Sequence, residues 1–380
     1  MGFSMNKAKR KPFHEEIAEQ LIAQLKEGAA PWQVPWETGY VKERPYNVVT
    51  GKPYQGRNSI ALMLTGYADP RWMTFNQAKE AGYSIKKGSK GTRLQMTIWQ
   101  EERLKRDETG QVIENSEGEQ EKEIVEREKP IVKSFTVFNA EQINGIPPLE
   151  RPVVHAWQAI ERAENILEAS GAVIEHKRGN KAYYSPVHDK IVLPLKDQFP
   201  SPDRYYATAL HELGHWTGHE SRLHRFEAGV RESKEEYAKE ELRAEIASMM
   251  IGQTLGIGHD PGQHAAYVES WIKVLQDDPM EIIHAAKDAE KIHSFVLEFE
   301  RQREQDSTRD LSVDELKQAF EKALDNAEPE LVKQLRFLET SMSMIVQNMP
   351  EAARSQAQQN FYSAQLEKLS ERESEVEIAL

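Results

Sequence analysis

The sequence predicts an α+β chain of two domains followed by a helical C-terminal extension, and three observations lead there. Short strand-like runs, Thr92 to Trp99 and Ile131 to Asn139 in the first half and Lys190 to Pro194 in the second, sit among longer runs with helical spacing. The stretch Pro147-Pro148-Leu149-Glu150-Arg151-Pro152 resists regular structure and marks a boundary. Charge also changes sign along the chain: residues 1–100 carry 15 Lys and Arg against 8 Asp and Glu, whereas residues 130–380 carry 28 against 43. We therefore expect domains at 12–148 and 149–300, with an extension at 301–380.

In chain order, Ile17, Leu21, Ile22 and Leu25 give 12–27 an amphipathic helix ending near Gly28. Pro31-Trp32-Gln33-Val34-Pro35-Trp36 comes next as an extended aromatic segment, because its prolines exclude a continuous helix. Thr50-Gly51-Lys52 reads as a turn, Asn58 to Thr65 as a short helix, and Met73-Thr74-Phe75-Asn76-Gln77-Ala78-Lys79 as a capped helix start. Between the two N-terminal strands, the acidic, aromatic-poor run 101–129 reads as a mobile hairpin insertion. Past the boundary we expect a helix at 153–170, strands at 182–186 and 190–194, a helix from Tyr205 to Gly218, and helices near 236–254, 264–277 and 280–300.

Composition excludes several functions. The chain has no Cys, so disulfides, thiol catalysis and cysteine-bound zinc are ruled out, and a metal must be held by His, Asp or Glu. No run approaches the roughly 18 apolar residues of a membrane span. Met1 to Lys11 is basic and the helix after it is amphipathic, unlike a secretory leader, so a cytoplasmic setting is expected. Lys86-Lys87-Gly88-Ser89-Lys90-Gly91 lacks a phosphate-loop signature, which argues against an ATPase.

The strongest chemical signal is His211-Glu212-Leu213-Gly214-His215. Helix positions i and i+4 share one face, so His211 and His215 can hold one Zn2+, with Glu212 beside the ion as general base. Leu210, Leu213, Gly214 and Trp216 favour burial beside a site over a surface helix with incidental histidines. His219 stands about 12 Å along the axis from His211, too far to join it on one ion. The metzincin pattern fails because Ser221 occupies its last His position. The third ligand must come from the acidic helix containing Glu241 and Glu245, which lie one turn apart; either could bind while the other supports a His. This layout resembles the gluzincins, and by that resemblance Glu241 is the ligand and Glu245 the supporting carboxylate. Tyr183, Tyr184, His219 and His224 are candidates to stabilise an oxyanion, and Arg222 reads as a structural ion-pair partner.

The basic N-terminal half interleaves aromatics with cations, as a surface for single-stranded nucleic acid requires. Trp32, Trp36, Tyr54 and Trp72 are candidate stacking residues; Lys52, Arg57, Lys87 and Lys90 are candidate phosphate contacts.

Several motifs occur together in order: Pro31-Trp32 with Pro35-Trp36, Thr50-Gly51-Lys52-Pro53-Tyr54-Gln55-Gly56-Arg57-Asn58, Trp72-Met73-Thr74, Val137-Phe138-Asn139-Ala140-Glu141-Gln142, and the run from Leu210 to His219 with Glu240-Glu241-Leu242. In these the chain, over roughly residues 12–300, resembles the ArdC family of plasmid antirestriction proteins, whose N-terminal module also occurs in TraC-type conjugative primases. The resemblance implies an N-terminal single-stranded-DNA-binding domain and a C-terminal zincin-like metallopeptidase domain that together protect incoming plasmid DNA during conjugation. A host DNA-processing or restriction protein is the expected class of protein substrate, and no membrane partner is expected. The alternative function is a single-stranded-DNA-binding protein whose zinc is structural or regulatory, without proteolysis. The insertion at 101–129 and the tail at 301–380 depart from the family pattern.

Overall fold

The structure, a computed structural model, describes residues 11–379 apart from 33–43, 108–110, 114, 116–119, 150–154, 227–232, 259–264, 310–311, 326 and 328. Trp36 lies outside the described residues. By contact the chain divides into two compact units, residues 1–66 with 148–380 and residues 67–147. The second unit ends at Pro147. The first 66 residues nevertheless belong to the same unit as the chain after Pro148.

In the 67–147 unit, β2 (Arg71–Thr74), β4 (Thr92–Leu104) and β5 (Lys122–Asn139) run side by side with β5 in the middle, antiparallel to both neighbours. Trp72, Leu94 and Val137 fall on one face of this ladder and are buried. Helix α3 (Phe75–Glu80) begins at the expected cap, with Thr74 and Gln77 each satisfying the other's backbone N–H. The short strands β3 (Ser84–Ile85) and β6 (Ile143–Asn144) pair with each other. Beyond a register shift after Ile98, β4 and β5 resume pairing from Gln100 opposite Glu126 to Leu104 opposite Lys122. The acidic run therefore continues the two expected strands as a hairpin arm. Alternating charges there form the ion pairs Lys122–Glu102 and Lys105–Glu121.

In the other unit, β7 (Val173–Lys177), β9 (Lys190–Pro194) and β8 (Tyr183–Ser185) form a sheet with β9 central, parallel to β7 and antiparallel to β8. Among the described residues, one side of β8 thus carries no strand of this sheet. Ile191 and Leu193 of β9 join Leu210 and Leu213 of α5 (Pro202–Trp216) and Leu242, Ile246 and Met249 of α6 (Lys234–Leu255) as fully buried apolar side chains. The remaining helices are α4 (Ala156–Ala169), α7 (Val268–Asp277) and α8 (Glu281–Arg309). Both α5 and α6 pack against α8.

Helix α1 (Phe13–Glu27) buries Ile17, Leu21 and Leu25 and ends where Gly28 takes a positive φ of 68°. It packs on α7 and α8, and Trp32 just beyond it lies edge-on to Trp271 of α7 with ring centroids 6.2 Å apart. After β1 (Tyr46–Asn47) comes α2 (Gly56–Met63), whose first N–H donates to Glu290 of α8, a carboxylate also paired with Arg44. Helices α9 (Val313–Leu324), α10 (Pro329–Gln347) and α11 (Glu351–Ala379) enclose their own core of Leu316, Phe320, Leu324, Leu335, Tyr362 and Leu369. Among the described residues no helix is long and apolar enough to cross a membrane.

Candidate metal centre

Helix α5 opens with Ser201 as cap and Pro202 in its first turn, where a missing N–H costs nothing. Its 3.6-residue repeat brings Leu210, Leu213 and Gly214 into the core and turns His211 and His215 toward α6, with Glu212 in the lining of the same cavity; all three are buried. From α6, the longer and strongly acidic helix, Glu241 meets them. Nε2 of His211 is 3.7 Å and Nε2 of His215 3.6 Å from the Glu241 carboxylate oxygens. Donor atoms of these three residues all lie within 4.8 Å of one another, close enough to share one metal ion.

The opposite ring nitrogens face other carboxylates. Nδ1 of His211 is 3.6 Å from Glu245, which is fully buried, and Nδ1 of His215 is 3.3 Å from Glu240. Each histidine can thus direct Nδ1–H at an acid and present Nε2 to a metal. Of Glu241 and Glu245, the two candidates for third ligand, Glu241 is the one grouped with both histidines. The role of Glu240 escapes a sequence reading, because it depends on how α5 and α6 are placed rather than on spacing within either helix.

Arg225 completes this layer. It binds Glu240 at 2.8 Å and also donates to the Gly214 carbonyl and the Thr217 hydroxyl, closing the end of α5. Its return path requires Gly218: a Cβ there would come within 2.4 Å of the Phe226 ring. Arg222 pairs with Asp189 and stacks on Trp216, the structural role its position suggests.

Four buried carboxylates, Glu212, Glu240, Glu241 and Glu245, converge here, with Arg225 against one of them, so the site suits a divalent cation. The metal-free electrostatics reflect this. Burial works against a charged His215, yet Glu241, Glu240 and Glu212 outweigh it and raise its pKa to about 9. Burial would raise Glu241, but the two histidines draw it down to about 2. Glu212 is raised, chiefly by burial and against the pull of His211 and His215. A raised carboxylate beside a metal position suits a general base.

Above the cluster lies a cavity of about 210 Å³, lined by Tyr183 and Tyr184 of β8 and by Phe226, Tyr237 and Tyr267. The Tyr184 hydroxyl is engaged, donating to Asp189 at 2.8 Å. His219 bonds Ser221, and His224 sits in a left-handed turn with φ 50°; neither lines the cavity. Tyr237 and Tyr267 were not singled out by the sequence, although Tyr237 precedes Glu241 by one helical turn.

The expected nucleic-acid residues are divided between the units. Trp32, Lys52, Tyr54 and Arg57 belong to the larger unit, and Trp72, Lys87 and Lys90 to the smaller. Lys52, Lys87 and Lys90 are exposed; Tyr54 and Arg57 are half-buried. Trp32 and Trp72 are 0% and 1% exposed, so the expectation that bases stack on them is corrected: their large apolar rings are core, with no open face.

Comparison with known proteins accords with this geometry. The family model for the N-terminal domain of the anti-restriction factor ArdC matches residues 11–138, and a zincin-like metallopeptidase model matches residues 161–288. Two Escherichia coli proteins named DNA primase TraC are 58% and 57% identical over 80% and 79% of this chain, which spans only 29% and 21% of their lengths. An uncharacterised Sinorhizobium fredii protein, y4eC, is 32% identical over 74% of the chain and 91% of its own length. Crystal structures of the antirestriction protein ArdC from the R388 plasmid, one metal-free and one Mn(II)-bound, are 33% and 32% identical with TM-scores of 0.58 and 0.59. Each similarity covers 76% of this chain and 98% of that one. With both domains matched and the whole of a solved ArdC spanned, this chain belongs to the ArdC family of antirestriction proteins.

Proposed function

We propose that the chain is an antirestriction protein that binds single-stranded DNA and carries a zinc-dependent peptidase site, acting in the cytoplasm to protect plasmid DNA entering by conjugation. The observation that carries the peptidase reading is Glu212 at a three-ligand cluster that opens into a cavity. A purely structural zinc site is closed by four protein ligands, whereas a catalytic one keeps a position open.

A divalent ion held by His211, His215 and Glu241 would supply Lewis acidity and make water more acidic. Glu212 accepts the proton from the attacking water and passes it to the leaving amine. Glu240 and Glu245 orient the two imidazoles. The open side of β8 offers backbone groups along which an extended peptide can lie, its scissile bond over the cluster. A host DNA-processing or restriction protein is the substrate class that fits an antirestriction role.

For DNA, the reading rests on the basic first hundred residues and on exposed Lys52, Lys87 and Lys90. With Trp32 and Trp72 in the core, exposed Phe75 and Trp99 become the aromatic faces available in the unit that holds Lys87 and Lys90. The test is an antirestriction assay comparing the parent with Glu212→Gln, together with zinc content. Loss of protection with full zinc supports the peptidase reading. Full protection by the variant instead favours DNA occupation with a structural or regulatory metal.

A further inference from the structure

The helical extension turns one side of α10 to its own core and leaves another bare. Leu335 belongs to that core, Val332 packs against it, and Val346 is buried. Around the helix from them, Phe337, Leu338, Met344 and Ile345 are exposed by 72%, 38%, 57% and 58%. Counted from the half-buried Ser341, Phe337 and Leu338 stand four and three residues back, and Met344 and Ile345 three and four residues on, so all five share one face. At about 200 Å² for a large side chain, these exposures leave on the order of 450 Å² of apolar surface, as much as the largest patch on a typical monomer, which is often functional.

The stripe can lose its water at little cost. In a chain 29% charged, Thr340 to Pro350 contains no charged residue. The hydroxyls of Thr340 and Ser341 donate to the carbonyls of Arg336 and Phe337, each at 2.9 Å, so neither is stranded when the face is covered. Arg336, at the border, is bound to Glu321 and Glu339 of its own extension.

The symmetry of the spacing points to the occupant. When two α10 helices run antiparallel about a two-fold axis at Ser341, each residue before Ser341 meets the one equally far beyond it on the other copy. Phe337 then lies against Ile345 of the second copy and Leu338 against its Met344, and both contacts occur twice, as in an isologous interface. Ser341 meets itself and is small enough for the axes to approach to about 8 Å. A net charge of −13 opposes the association of copies elsewhere on their surfaces, which favours an uncharged stripe as the place of contact.

We propose that the exposed stripe of α10 is a homodimer interface, across which a second copy of this chain packs its own α10 antiparallel about Ser341. The two stripes cover about 900 Å² of apolar surface, and their uncharged flanks bring the total to the roughly 1,000 Å² that a specific interface needs. An interface at this lower limit is weak, so monomer and dimer exchange with concentration.

Sedimentation velocity on the full-length protein, from about 1 to 100 µM, tests this in the range where weak complexes dissociate. The parent is expected to shift from monomer toward dimer. Phe337→Lys and Ile345→Glu, made separately, should each raise the dissociation constant at least about tenfold, because either sets a charge against an apolar side chain at both ends of the pair. Mixing the two variants should restore the dimer: the introduced ammonium meets the introduced carboxylate at one end, and the native Phe337–Ile345 contact persists at the other. Both positions are exposed, and an unchanged thermal midpoint separates loss of the contact from loss of the fold. A parent that stays monomeric to the top of the range overturns the proposal and leaves the stripe to a different protein. Parent-like association of both variants overturns it by placing the contact elsewhere, and failure of the mixture to associate overturns it by excluding the antiparallel register.

Discussion

Nδ1 of His215 lies 3.3 Å from Glu240, the residue next to the candidate ligand Glu241 on the same helix. Adjacent residues on α6 thus address opposite sides of one imidazole: Glu241 approaches Nε2 and Glu240 approaches Nδ1. Glu240 can do so as a carboxylate because Arg225 is bound to it. Burial alone would raise its pKa, but Arg225 and His215 bring it down to about 2.

Removing that support should loosen the metal without abolishing the site. Glu240→Gln is expected to lower zinc affinity about 10- to 100-fold, the usual effect of losing a carboxylate behind a ligating histidine. Competition with a chelator measures it. Parent-like affinity would show that the contact does not orient His215.

Glu241 and Glu245 should separate cleanly. Glu241→Ala removes one of three ligands and is expected to leave the protein without stoichiometric zinc after dialysis. Glu245→Gln keeps the volume and should retain zinc with reduced affinity. Full zinc content in Glu241→Ala would exclude it as the third ligand.

The metal-free chain should lose stability in mild alkali. His215 has its folded pKa raised from 6.5 to about 9, since the surrounding glutamates outweigh the opposing effect of burial. A raised folded pKa contributes stability that is fully present below 6.5 and is lost as pH rises through about 9. The thermal midpoint of the metal-free protein should fall across this window by on the order of several degrees. The zinc-loaded protein binds neutral imidazoles and should not show the fall. Equal midpoints at the two ends of the window in the metal-free protein would contradict the assignment.

Gly218→Ala tests the loop behind the site. Its Cβ would press on Phe226 and Arg225, and forcing an extra carbon into packed surroundings costs about 1–3 kcal/mol. A lower thermal midpoint, with weakened zinc because Arg225 is displaced from Glu240, is expected. Calorimetry and metal analysis would report both.

DNA binding should depend on exposed cations rather than buried indoles. Replacing Lys87 and Lys90 together by Ala is expected to weaken single-stranded oligonucleotide binding and reduce the salt slope by about 1–2, the number of phosphate contacts removed. Trp32→Ala should instead destabilise the fold by about 3–5 kcal/mol. The full chain is the proper material, because a 12–148 fragment would separate residues 12–66 from the unit they pack in. An unaltered salt slope in the double lysine variant would remove these residues from the surface.

The sequence by itself determined what local periodicity and chemistry can encode. The i, i+4 spacing of His211 and His215 on a helix, the Glu212 between them, the capped helix start at Thr74 and the two N-terminal strands are all properties of short segments, and each is present in the structure. Contacts between segments distant in the chain required the tertiary structure. Burial made Trp32 and Trp72 core residues, although the same aromatic–cation pattern would suit an exposed surface. The packing of α5 against α6 grouped Glu241 rather than Glu245 with both histidines and gave Glu240 a role that no spacing announces. It was also the fold that joined residues 1–66 to the metal-binding half and brought Trp32, Trp271, Tyr267 and Tyr237 into one aromatic series leading to the site. A side chain's type is written at its own position, but its surroundings are supplied by chain hundreds of residues away.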